Sequence, residues 1–255
     1  LPALAWGQGL ILNSHWSLSP GFQRVTRARV PAAKNSGMDK ADMVFEYIWG
    51  STINPGVGQV EYCPDSSGNN NNAICDSESA KAAIAVGKYV TINNGKGFKA
   101  TNNPPTLSSW TLYIVYQSDY SGDYNIAFQN GFNGGGITIN LAGGNVAYGS
   151  GWGPGGSNLW GRWTGNAPLP FGVYAYTYKA SKITRYYNGF YDGEANWNAP
   201  TNSSYITSLL CYRYPQYDYS ARGKHWYMSF HNTCHDADKI SANSATLKST
   251  YEVLQ

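Results

Sequence analysis

Four residues near the end of the chain, His225, His231, Cys234 and His235, are of types that ligate zinc and fall within eleven positions. Cys234 is better used in a disulfide, and His231 and His235 do not lie on an expected helix, so the group does not read as a zinc site. Asp119, Asp123 and Asn125 offer hard oxygen donors in one loop, the chemistry of Ca2+. Their spacing matches no defined calcium loop, and acidic loops between strands mostly face water, so Ca2+ is an optional ion and no cofactor is required. Asp192 and Glu194 stand two apart, on one face if extended, but a third acid is missing and they follow Asn188-Gly189, so they read as hairpin residues. No Gly-x-Ser-x-Gly elbow or Walker loop occurs, and the glycines of 149–156 do not open a helical pattern as a phosphate cradle would. Catalysis is not supported.

Aromatic and amide chemistry remains. Sugars present apolar C–H faces ringed by hydroxyls, and a site for them needs Trp or Tyr platforms beside polar partners. The stretch 131–165 has 13 glycines in 35 residues together with Tyr148, Trp152, Trp160, Arg162 and Trp163. Such a loop cannot bury all its aromatic residues within itself. A second group, Tyr212, Tyr214 and Tyr217 with Arg213, Tyr219 and Arg222, surrounds Pro215. Both groups fit a glycan platform and equally fit sealed sheet edges or subunit contacts, since Tyr, Trp and Arg are enriched in protein interfaces.

The elements that must hold these residues are strands. Charged residues are 13% of 255, about half the usual ~25%, while Gly (29) and Tyr (21) run high. Helical bundles, coiled coils and charge-driven disorder are excluded, and no run of eighteen apolar residues suggests a membrane span. From about Val60, strand signals recur every ten to fifteen residues: 88–92, 110–117, 125–129, 136–141, 145–149, 172–178, 183–187, 205–211 and 225–230. Trp110, Leu112, Ile114 and Tyr116 alternate with Thr111, Tyr113 and Val115, so both faces are apolar and this strand is central. Asn130-Gly131, Gly143-Gly144-Asn145 and Asn188-Gly189 accept the positive φ of tight hairpins. Leu247, Tyr251 and Leu254 stand at helical spacing within 241–254. The expected class is all-β: an antiparallel two-sheet sandwich over 59–255 with one short C-terminal helix and an irregular N-terminal arm, 1–58.

All the excess charge lies on that arm. Arg24, Arg27, Arg29 and Lys34 give residues 1–38 a charge of +4 with no acid, and the remainder carries −1. Trp6 and Trp16 add apolar anchors, so the arm wraps its own domain or docks on a partner. Nucleic acid is not expected, because four basic residues do not make a strongly basic face. The chain begins at Leu1 and not at Met, which reads as a processed form. Cys63, Cys75, Cys211 and Cys234 form two groups, and Asn202-Ser203-Ser204 is a glycan acceptor pattern. Together these point to a secreted, extracellular or organelle-lumen protein. The expected disulfides are Cys63–Cys75 and Cys211–Cys234, each closing a local loop. Three pairings are open to four cysteines, and four buried thiols are the alternative.

The order of the motifs resembles a known superfamily. Asp65-Ser66-Ser67-Gly68-Asn69, then 89–92, then Leu107-Ser108-Ser109-Trp110-Thr111-Leu112-Tyr113 are similar to the opening of the concanavalin A-like, laminin-G-like jelly rolls. The stretches 171–178 and 183–189 look like that family's paired strands, and 226–247 like its last strand and closing helical turn. The resemblance spans Val60 to Leu254 and implies a jelly-roll sandwich; members include lectins, adhesion domains, hydrolases and lyases, so function must come from the site. The family's glucanases carry Glu-x-Asp-x-x-Glu, placing two carboxyl groups about 5 Å apart, and this run is absent. His225, Tyr227 and Arg222 supply lyase-type groups without a lyase motif. The expectation is a non-catalytic binding domain that takes glycan or protein partners. A purely structural subunit, or a divergent glycoside hydrolase or lyase, are the alternatives.

Overall fold

The computed structural model describes residues 36–54, 56–57, 60–102, 108–118, 126–130, 137–140, 147–152, 158–163, 169–196, 207–211 and 220–255, with 137–163 described by backbone only. In chain order the strands are β1 (Met43–Ile48), β2 (Glu61–Cys63), β3 (Ala73–Cys75), β4 (Ala83–Ala85), β5 (Tyr89–Ile92), β6 (Phe98–Ala100), β7 (Ser109–Gln117) and β8 (Ile126–Asn130). They continue as β9 (Ile137–Asn140), β10 (Ala147–Trp152), β11 (Asn158–Trp163), β12 (Gly172–Lys179), β13 (Lys182–Tyr187), β14 (Phe190–Asn196), β15 (Thr207–Leu209) and β16 (Gly223–His231). Helix α1 (Ala237–Glu252) is the single α-helix among the described residues. Sheet I runs β14-β13-β12-β7-β16-β5-β4, with β1 also paired to β16; sheet II runs β11-β10-β9-β8-β15-β6-β3-β2. The neighbouring strands are antiparallel, as expected of a jelly-roll sandwich.

The central strands of sheet I, β7 and β16, are buried on both faces, which the two apolar faces of 110–117 foreshadow. Trp110, Leu112, Ile114 and Tyr116 of β7 join Tyr174, Tyr176, Tyr178, Met228 and Phe230 in the core between the sheets. Phe128 of β8 reaches across to Phe230 and Phe45, with ring centroids 5.3 and 6.2 Å apart. On the outer face, Tyr113, Val115, Val173, Ala175, Trp226 and Tyr227 pack with Ile240, Leu247 and Tyr251 of α1. The helix therefore adds a third layer. It starts four residues before the expected 241 because the Asp236 carboxylate caps it, accepting from the Lys239 N–H at 2.8 Å. The turn at Asn188-Gly189 has positive φ at both residues, 51° and 86°, and a Cβ on Gly189 would stand 3.0 Å from the Ser241 Cα. The hairpin and the helix meet there.

A bulge in β16 between His225 and Tyr227 decides which face each side chain takes. His225 is opposite Tyr116, on the inner face, whereas Tyr227, Ser229 and His231 are opposite Val115, Tyr113 and Thr111, on the outer face. The Asp-Ser-Ser-Gly-Asn segment is a structural turn. Asp65 accepts from the N–H groups of Glu46, Ser67 and Asn71, each at 2.9 Å, and so fastens this turn to β1.

The expected disulfides are not formed. Cys63 and Cys75 lie on paired strands but out of register, Cys63 opposite Ala73 and Cys75 opposite Glu61. Burial pushes the Cys63 thiol up to about 12. Cys211 belongs to the core between the sheets, beside Gly97, whereas Cys234 lies outside that core in the turn between β16 and α1. Asp192 and Glu194 are strand residues of β14 rather than loop residues, ion-paired with Arg185 and Lys182 of β13.

Two predictions follow from burial. Leu247 is fully buried against sheet I, so Leu247→Ala will lower unfolding stability by about 2–4 kcal/mol in urea titrations, with a smaller loss indicating that the helix is not docked. Glu61 is also fully buried, with Oε2 accepting from the Ala82 N–H at 3.1 Å and Oε1 lacking a hydrogen-bond partner. Burial pushes its carboxyl up to about 7 from 4.5. Between those values the folded chain holds a proton that the unfolded chain releases, so this contribution to stability is full at low pH and is lost as pH rises towards 7. Glu61→Gln will flatten that slope and raise stability at pH 8 by about 2 kcal/mol; a parallel pH profile for the two proteins would contradict it.

Candidate functional site

The pairing of β1 with β16 sets Met43 opposite His231, which brings the preceding residue, Asp42, to the end of β16. The Asn232 N–H bonds the Asp42 carbonyl at 2.9 Å. The chain then turns through 232–236 into α1 and returns His235 to the same carboxylate. Thr111 of β7 pins that turn: its hydroxyl donates to the Thr233 carbonyl at 2.7 Å and accepts from the His235 N–H at 2.9 Å. The result is a carboxylate held between two imidazoles, His231 Nδ1 at 3.0 Å from Oδ1 and His235 Nε2 at 2.8 Å from Oδ2. The Thr233 hydroxyl also donates to Asp42.

Proton accounting fixes every role in this cluster. An ionised carboxylate only accepts, so both imidazoles donate to it from the nitrogen that faces it. His231 Nε2 is then left to accept from the Ser229 hydroxyl at 3.1 Å, and His235 Nδ1 to accept from the Tyr113 hydroxyl at 2.9 Å. Tyr113 in turn accepts from the Asn243 amide of α1 at 3.0 Å. Burial pushes His231 down to about 4 and lowers His235, so both rings are neutral at pH 7. For Asp42, burial acts to raise the carboxyl, but the hydrogen bonds from Thr233, His231 and His235 hold it well below its usual range. The chain Ser229–His231–Asp42 has the connectivity of a hydrolase triad. Ser229 and His231 are fully buried, however, so the relay presents no nucleophile to solvent.

These three ligand-type groups lie within 4.8 Å of one another. The histidine cluster seen in the sequence is thus split. His231 and His235 come together around Asp42, while the bulge sends His225 inward, where it stacks on Tyr116 at 4.5 Å and Nε2 meets the Ala221 carbonyl at 2.6 Å. Burial pushes His225 down to about 3. The Cys234 thiol points to the His235 carbonyl, at 3.8 Å, and takes no part. Asp42 was not visible as a site residue, since its partners are nearly 190 positions away and only the β1–β16 pairing reveals them.

The expected aromatic platform of 148–163 lies on two strands instead of in a loop. In the β10–β11 pair, position 148 is opposite 162, 150 opposite 160, 152 opposite 158, and 147 opposite 163. Tyr148, Trp152, Trp160 and Arg162 therefore occupy positions on one side of this edge ribbon of sheet II, and Trp163 a position on the other. Tyr212, Tyr214 and Tyr217, the calcium candidates Asp119, Asp123 and Asn125, and the arm residues Trp6, Trp16, Arg24, Arg27 and Arg29 lie outside the described residues. Phe190 and Tyr191, absent from the sequence-based candidates, are 77% and 63% exposed on the hairpin beside α1.

No protein-family model matches this chain, and no curated protein is significantly similar. Solved structures do match. Domain 4 of AbnA, a GH43 extracellular arabinanase from Geobacillus stearothermophilus in complex with arabinotriose, aligns at TM-score 0.59 and 13% identity, covering 80% of this chain and 98% of that one. The binding domain of botulinum neurotoxin DC in complex with SialylT aligns at TM-score 0.58 and 10% identity, covering 85% of this chain and 52% of that one. The CBM40 of a Ruminococcus gnavus IT-sialidase, bound to α2,3-sialyllactose, aligns at TM-score 0.50 and 12% identity, covering 62% and 96%. At such identities the likeness establishes a shared β-sandwich fold.

Proposed function

We propose that this chain is a non-catalytic carbohydrate-binding module, with glycan contacted along the β10–β11 edge of sheet II. The observation that carries the reading is the register that gathers Tyr148, Trp152, Trp160 and Arg162 at positions on one side of that ribbon. Aromatic faces stack on sugar C–H surfaces, and a guanidinium hydrogen-bonds hydroxyls or carboxylates. The fold supports the reading too, because its structural neighbours were solved with arabinotriose, SialylT and sialyllactose. Their settings, an extracellular arabinanase and a toxin binding domain among them, support a secreted or lumenal location. Among the described residues no helix is long and apolar enough to cross a membrane.

A second reading, a structural subunit that buries aromatic surface against another chain, is favoured by the exposure of Phe190 and Tyr191. A glycan array probed with the full chain separates the two. The binding module will give saturable signals that fall at least tenfold in Trp160→Ala with unchanged circular dichroism. Signals that vanish with chelator and return with CaCl2 alone, and that are lost in Asp119→Asn even with CaCl2, would assign the calcium expected at Asp119, Asp123 and Asn125. An array blank at micromolar protein, together with a concentration-dependent oligomer that Phe190→Ser disrupts, would replace the first reading with the second.

A further inference from the structure

The Asp42 cluster does more than the sugar-binding reading uses, and its donor set is specific. We propose that Asp42, His231 and His235 hold a divalent transition-metal ion, zinc by the chemistry of the donors. Two imidazole nitrogens and one carboxylate oxygen are ligands that zinc takes, whereas calcium and magnesium prefer oxygen alone. His231 Nδ1 and Asp42 Oδ1 are 3.0 Å apart, and His235 Nε2 and Asp42 Oδ2 are 2.8 Å apart. Ligands around a tetrahedral zinc with bonds of about 2.0–2.1 Å stand about 3.3–3.4 Å from one another. Those two contacts use different oxygens of Asp42; taken as one ligand atom per residue, the three lie within 4.8 Å of one another, so the trio closes on an ion by a shift of up to about 1.5 Å.

The surroundings are already those of a metal site. Ligating histidines usually have their second ring nitrogen held by an outer partner that fixes the ring, and both rings here do: His231 Nε2 by Ser229 and His235 Nδ1 by Tyr113, itself held by Asn243. When the ion enters, each imidazole moves its proton to that outer nitrogen. The Ser229 and Tyr113 oxygens then accept where they had donated, since a hydroxyl can do either. No net proton is released, because both rings start neutral. The rings are buried, but the Asp42 side chain is 14% exposed, so ion and water reach the carboxylate from outside. A water completes the sphere on that side. The ion ties the entry to β1 to the continuous stretch from the end of β16 into α1, some 189 positions away in sequence.

One group opposes the ion. Lys239 Nζ lies 3.8 Å from Asp42 Oδ2, and it is also 4.0 Å from Asp39, to which its partly exposed side chain can swing. This gives the test its sign. The full chain, stripped with chelator and dialysed, is titrated with zinc chloride against a chromophoric chelator and followed by thermal melting. One zinc per chain will bind and raise Tm; His235→Gln and His231→Gln will weaken binding at least a hundredfold; Cys234→Ser will leave it within twofold; and Lys239→Ala will tighten it severalfold. If a histidine variant fails to fold, cobalt added to the unmodified chain decides: four-coordinate N/O bands support the site, and a thiolate charge-transfer band overturns it. Absence of saturable zinc binding, or binding lost in Cys234→Ser yet kept in His235→Gln, also overturns it and leaves the trio as a hydrogen-bonded clamp. Loss of glycan signal on the array has no bearing on these outcomes.

Discussion

Burial of the central strands of sheet I on both faces is the constraint from which the rest follows. A sandwich needs only one apolar face per sheet, but β7 and β16 carry two, and the second is covered by α1. Charged groups on that covered face then need partners, because an unpaired buried charge is far costlier than an exposed one. Glu46, fully buried on β1, accepts from Tyr227 at 3.0 Å and from Ser36, and pairs with Lys40 at 3.1 Å. Asp42 resolves the same problem with two imidazoles and a threonine. The polar clusters of this face are consequences of the third layer.

The two candidate regions differ in kind for that reason. The Asp42 cluster is nearly sealed, its hydrogen bonds are paired, and its serine is fully buried. The β10–β11 ribbon lies at an edge of sheet II, where alternation along paired strands places large aromatic residues in a row. Recognition of sugar needs such a row on a stiff support more than it needs any ionisable group. Strand β11 also packs beside β14, the outer strand of sheet I, so the two sheet edges meet there.

Neighbours with 10–13% identity share this frame without sharing its residues. What is shared at that distance is the overall fold, at TM-scores of 0.50 to 0.59. The third layer and its polar clusters are read from this chain's own residues, and they are where its particular chemistry lies.

The sequence by itself determined the all-β class, the central place of 110–117, the Asn188-Gly189 turn and a single closing helix, because each depends on local periodicity or on backbone preferences of a few adjacent residues. Short strands such as β2, β3, β4 and β6 carry three residues each, too few to show a period, and β1 lay hidden in what reads as an irregular arm. The cysteine spacing suggested local loops, whereas the β2–β3 register sets Cys63 opposite Ala73 and Cys211 lies in the core apart from Cys234. A one-residue bulge in β16 sent His225 inward and His231 outward, a choice no alternation rule can make in advance. Asp42 acquired its partners only through the β1–β16 pairing and the turn into α1. Tertiary structure decided those points, since register and the docking of a helix are set by contacts between segments that the linear order keeps far apart.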